Sequence, residues 1–161
     1  MSPSRSRNGF VLIATCIALV ILMALAGLAV DIGRMYVIKS ELQAFADAAA
    51  LTAAVQLNNG PAVTRSAVQN LTQGSNAMKW DLGSRPITEF TLAFAQGDSA
   101  PDAKTWQSDA KDLAGRHFVR VIASAPAPLI FLRPFVWAQP DFANVSAAAI
   151  ATSSPAPRLV Q

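Results

Sequence analysis

At 161 residues and 17.0 kDa the chain has room for one compact domain, or a domain with an appendage, and not for two large ones. Hydrophobic residues make up 52% and charged residues 14%, about half the charged share usual in soluble domains, so part of the chain is not meant for water. Arg5 and Arg7 supply two of the three net positive charges; the composition shows no basic face for nucleic acid, and one cysteine and one histidine exclude an internal disulfide and a multi-histidine metal site.

The apolar surplus is concentrated near the N-terminus. After a basic tail, residues 1–9, the 21 residues from Phe10 to Val30 carry no charged side chain. As a helix they measure about 30 Å, the thickness of a bilayer's hydrocarbon core. Phe10–Val30 therefore reads as a membrane span in contact with the lipid bilayer. Arg5 and Arg7 precede it, whereas Asp31, Arg34, Lys39, Glu41 and Asp47 nearly balance after it. That asymmetry predicts a single-pass protein with the N-terminus cytoplasmic and everything after Val30 on the far side of the membrane.

Three other readings compete for this segment. Ala24-Leu25-Ala26 has the form of a signal-peptidase site, which would leave a secreted binding domain after residues 1–26. Cys16 follows Ile13-Ala14-Thr15, a poor lipobox, and fits better as a small buried apolar residue. Gly9 followed by Phe10 resembles a type IV prepilin leader, which would make the chain a minor pilin or pseudopilin incorporated in a filament. The fifth residue after that cut is Ala14, where such leaders carry a glutamate.

Residues 31–57 continue the helix. They contain no proline, Gly33 is their one glycine, and seven of the eleven residues from Ala44 to Ala54 are alanine. Lys39, Gln43 and Asp47 form a polar stripe, and Leu42, Phe45, Ala49 and Ala53 form an apolar one. Phe10 to Leu57 becomes one rod of about 70 Å, stopped by Asn58-Asn59-Gly60-Pro61. The pairs Ala29/Gly33, Ala46/Ala50 and Ala50/Ala54 offer small-residue faces for close approach of a partner helix. Asp31 is expected at the headgroup zone, paired with Arg34 at i+3.

Residues 62–152 read as a small α+β head. Val63–Leu71 suits a short second helix. Phe90, Leu92 and Phe94 alternate with Thr91 and Ala93 as a half-buried strand. His117–Ser124 offers a second strand, with Val119 and Val121 on one side and Phe118, Arg120 and Ile122 on the other, and Asn144–Thr152 a third, with Val145, Ala147 and Ala149 facing one way. Pro126-Ala127-Pro128 is expected to break the chain, and Leu129–Trp137 is apolar but interrupted by Pro134. The fold class is α+β: one long helix and a three-stranded antiparallel sheet packed on its upper half. Trp80, Trp106 and Trp137 read as packing residues, and residues 153–161 as a loose tail.

Two blocks stand in order along the rod: Gly27-Leu28-Ala29-Val30-Asp31-Ile32-Gly33-Arg34-Met35-Tyr36, then Leu42-Gln43 with Ala46-Asp47-Ala48-Ala49-Ala50-Leu51. Together they resemble the N-terminal signature of the TadE/TadG-like family of Flp, or tight-adherence, pilus assembly. Val119-Arg120-Val121, Ala127-Pro128-Leu129-Ile130-Phe131 and Val145–Ala151 resemble its TadG-like members more loosely. The resemblance implies an accessory of pilus biogenesis anchored in the inner (cytoplasmic) membrane, with its bulk extracytoplasmic or periplasmic, that meets other pilus-assembly or pilin-like membrane proteins through the long helix. It implies no catalytic activity.

The residues agree with that absence. There is no G-x-S-x-G, Walker loop, H-E-x-x-H or C-x-x-C, so no cofactor and no small-molecule substrate is expected. His117 beside Arg116 has no nameable catalytic partner. Asp98, Asp102, Asp109 and Asp112 fit no EF-hand spacing and are interleaved with Lys104 and Lys111, which reads as a solvated loop.

Overall fold

The computed structural model describes residues 6–96, 105–108, 115–131 and 142–153. Arg5, the acidic loop residues Asp98, Asp102, Asp109 and Asp112 with Lys104 and Lys111, the stretch 132–137 with Pro134 and Trp137, and the tail 154–161 lie outside the described residues.

Helix α1 runs unbroken from Ser6 to Gln56, 51 residues and about 75 Å. Its lower half is bare: Phe10, Leu12, Val20, Met23 and Leu25 are all exposed. This half is long and apolar enough to cross a membrane. A single 3₁₀ turn, Leu57–Asn59, and Gly60 at φ +92° end the rod and lead into helix α2, Pro61–Asn70. Proline suits the first position of α2, where no N–H is needed. Thr64 is fully buried, and its Oγ1 lies 2.9 Å from the carbonyl oxygens of Gln56 and Gly60, so a side-chain donor serves the end of α1.

A two-stranded hairpin follows, β1 (Lys79–Trp80) against β2 (Arg85–Pro86). Sequence periodicity does not forecast strands this short. The main sheet is antiparallel in the order β3 (Glu89–Gln96), β4 (Arg116–Pro128), β5 (Phe142–Thr152). Its inner face lies on the upper half of α1. Ile38, Leu42, Phe45, Ala49 and Ala53 of the helix meet Leu92 and Phe94 of β3, Val119 to Ala127 at alternate positions of β4, and Val145, Ala147 and Ala151 of β5. Phe45 and Phe90 meet edge to face, ring centroids 5.7 Å apart. Alanine on both sides lets sheet and helix approach closely.

Two expectations are corrected here. Pro126 and Pro128 do not break the chain; both belong to β4 and pair with Asn144 and Phe142 of β5. The ladder to β3 begins only at Ser124, opposite Glu89, so beyond it β4 has a partner on one side. The carbonyl of Ala148, of the same parity as Asn144 and Phe142, accepts from Gln43 and not from β4, which places the two proline nitrogens on the open side. A missing N–H is harmless there. The small-residue faces are the second correction. Ala46, Ala50 and Ala54 are buried by the chain's own fold and are not available to a partner helix, while Ala29 and Gly33 remain exposed.

Candidate functional site at the rod–head junction

Where the bare half of α1 gives way to the covered half, Gly27, Asp31 and Arg34 occupy successive turns of one helix face. Each holds part of the head. Asp31 is 1% exposed, and its two carboxylate oxygens accept backbone N–H groups from the turn after β4: Ile130 at 3.1 Å and Phe131 at 2.9 Å. One turn below, Gly27 faces the same turn. A Cβ at Gly27 would stand 2.6 Å from Cβ of Phe131, so only glycine admits this approach.

Arg34 reaches the β1–β2 hairpin instead. Its Nε and Nη2 donate to Oδ1 of Asp81 at 2.9 and 2.8 Å, and Nη2 also to Oδ2 at 2.8 Å. Asp81 is buried, and Arg85 adds a longer contact at 3.4 Å. The turn carrying Asp81 is tight: Asp81, Leu82 and Gly83 all have positive φ, at 59°, 57° and 73°. Aspartate tolerates that region, but leucine rarely enters it. Ser84 holds the turn by donating Oγ to the Asp81 carbonyl at 2.6 Å, and the Leu82 N–H donates to Glu41 of the rod at 3.2 Å. Trp80 donates Nε1 to the Pro86 carbonyl and lies under the Arg85 guanidinium, so it is a packing residue.

The expected Asp31–Arg34 pair is therefore replaced by two longer-range attachments. Both side chains leave the local i, i+3 geometry because the head offers each a better match: two N–H donors for the carboxylate and a carboxylate fork for the guanidinium. Arg34 and Asp81 together make a bidentate pair that a surface contact along one helix would not equal.

The other sequence-derived positions divide between the two faces of α1. Leu42, Ala46 and Ala50 are core. Gln43 donates to Asp47 at 2.9 Å and to the Ala148 carbonyl at 3.2 Å, so the polar stripe borders the β5 edge. Tyr36 is 76% exposed, Gly33 has open space around it, and Phe10, Gly9 and Val30 lie on the bare lower half. Asp81 carries no signal in the sequence reading, and Ile130 and Phe131 enter it only as part of the Ala127–Phe131 block, with no contact to the rod assigned. The composition Asp81-Leu82-Gly83-Ser84 marks a turn, but nothing local says which rod residue it meets.

The described residues hold no group of three or more His, Cys, Asp or Glu placed to bind a metal. His117 is half-buried in β4, where its carbonyl accepts the Ser153 N–H. Residues 9–56 match the Tad family model, described as Flp pilus-assembly TadE/G-like. The chain carries a TadE/G-like N-terminal region. No curated protein and no solved structure matches the chain. The Tad region coincides with α1 almost end to end, and its Gly27, Asp31 and Arg34 are the residues that fasten the head, which lies outside the match.

Proposed function

We propose that this protein is a membrane-anchored, non-enzymatic component of Flp/Tad-type pilus assembly, with α1 as anchor and scaffold and the head held outside the cytoplasm. The observation that carries the reading is the coincidence of the Tad match with a rod whose lower half is bare and apolar and whose upper half is covered along one side by its own head. Arg5 and Arg7 before the span, against near-balanced charge after it, support an N-in orientation in the inner membrane. Contacts with other pilus-system proteins run along the uncovered side of the rod, where Tyr36, Leu51 and Val55 are exposed. Asp31 is occupied by backbone donors and Arg34 by Asp81, which suits a fastening role and not a catalytic one.

Deleting the gene tests the reading. The expected result is fewer Flp-type pili and weaker surface adherence, restored by the full chain. Normal piliation in a strain without a related copy would overturn it.

A further inference from the structure

We propose that the turn Leu129–Phe131 is a second membrane contact, an apolar tip through which the head enters the lipid interface beside the rod. This rests on the membrane-anchored reading above.

Depth is set by Gly27. It lies inside the uncharged run that ends at Val30, about 6 Å below Asp31 along the helix axis. Phe131 is packed against Gly27, so the turn reaches the level of the span's last turn and does not stop above it. Ile130 is 51% and Phe131 49% exposed, two adjacent large apolar side chains outside the core. At the same level Leu25, Ala26 and Val30 of the rod are exposed too, so the tip extends the apolar surface of the span.

The backbone is prepared for that medium. A turn entering a lipid boundary must satisfy its N–H groups within the protein. Those of Ile130 and Phe131 both donate to Asp31, whose carboxylate is thereby withdrawn from the surface. The Cα of Arg34 lies about 10 Å above that of Gly27 along the axis, and its charge is met by Asp81. The occupant is thus a lipid surface: the tip continues the span, the described residues Leu129, Ile130 and Phe131 carry no charge, and neither of these two N–H groups is left bare.

The experiment uses the full chain in phosphatidylcholine–phosphatidylglycerol vesicles, with the environment-sensitive dye NBD on single cysteines. Ile130→Cys and Leu82→Cys are made in a Cys16→Ala background, and native Cys16 in the unaltered chain reports the span. At position 130 we expect blue-shifted emission, quenched by nitroxide lipids and protected from aqueous iodide, with the opposite at position 82. If Cys16 is quenched by lipid but position 130 only by iodide, the proposal falls and the anchored reading stands. If neither Cys16 nor position 130 is quenched by lipid, the anchored reading falls and takes the proposal with it. Protection of position 130 from both quenchers, lost when the protein is diluted in the bilayer, would assign the tip to a protein neighbour and overturn the proposal.

Discussion

Arg34 on the rod and Asp81 in the hairpin turn stand 47 positions apart and meet as a fork, with three N–H donations of 2.8 to 2.9 Å. Asp81 keeps 6% and Arg34 27% side-chain exposure, so the pair is largely withdrawn from solvent. It is the charged half of a two-point attachment; the other half is Asp31 with the N–H groups of Ile130 and Phe131. Together they bind two separate loops of the head to adjacent turns of one helix.

Breaking the fork leaves a buried carboxylate or a half-buried guanidinium without its partner. Arg34→Ala is expected to destabilise the head by about 3 kcal/mol, the low end for a broken buried pair because Arg34 retains some water. Arg34→Lys keeps the charge but loses the planar two-point geometry, and about 1 kcal/mol with it. Urea unfolding in detergent, followed by the fluorescence of Trp80 beside the turn, reads both. Equal stability of the lysine variant and the native chain would show that the fork geometry is irrelevant.

Asp31 acts through hydrogen bonds to backbone. Asp31→Asn retains one acceptor oxygen and should loosen the turn partly. Asp31→Leu retains none and orphans the N–H groups of Ile130 and Phe131, each at about 1–3 kcal/mol. Hydrogen exchange at those two amides should therefore rise in the order native, asparagine, leucine. Unchanged exchange in the leucine variant would place the carboxylate's role elsewhere.

Part of this arrangement was legible from residue order and part was not. The stripe Leu42, Phe45, Ala49 and Ala53 and the alternation in Val145, Ala147 and Ala149 are periodic signals; the structure buries the stripe, Val145 and Ala147, and packs the half-buried Ala149 against the same core. The fastening is different in kind. Asp31 meets a turn 99 and 100 positions away, and a rule of local spacing gives it Arg34 in preference. Pro126 and Pro128 read as breakers because the sequence does not show that β4 outruns β3 at that end. The alanines at 46 and 50 suit a partner helix and a covering sheet equally, and only the fold distinguishes the two.

Gly27 gives a test with its own rescue. Gly27→Leu drives a side chain into Phe131 and is expected to cost about 1–3 kcal/mol as overpacking, seen as faster protease cleavage of the head in detergent. Adding Phe131→Gly removes the obstructing Cβ together with the ring and should recover most of the protection. Failure of the double variant to recover would mean that the glycine serves the helix itself and not the contact.

The burial of Ala46 and Ala50 reverses the meaning of substituting them. On a small-residue face reserved for a partner helix, leucine at both positions would block association and spare the fold. With both residues buried, the added side chains enter the chain's own core, and the head should loosen by about 2 kcal/mol or more through overpacking. The contrast lies on the uncovered side, where Leu51 is 64% and Val55 76% exposed. Leu51→Glu with Val55→Glu should leave the urea midpoint within about 0.5 kcal/mol of the native chain, as surface changes do. If the rod meets its neighbours along this side, the same double variant should reduce crosslinking to other pilus-system proteins and lower piliation. Crosslinking lost in the leucine variant while its head stays as stable as the native one would restore the small-residue face as the partner surface. Crosslinking unaffected by the two glutamates would move the contact off the rod and onto the head.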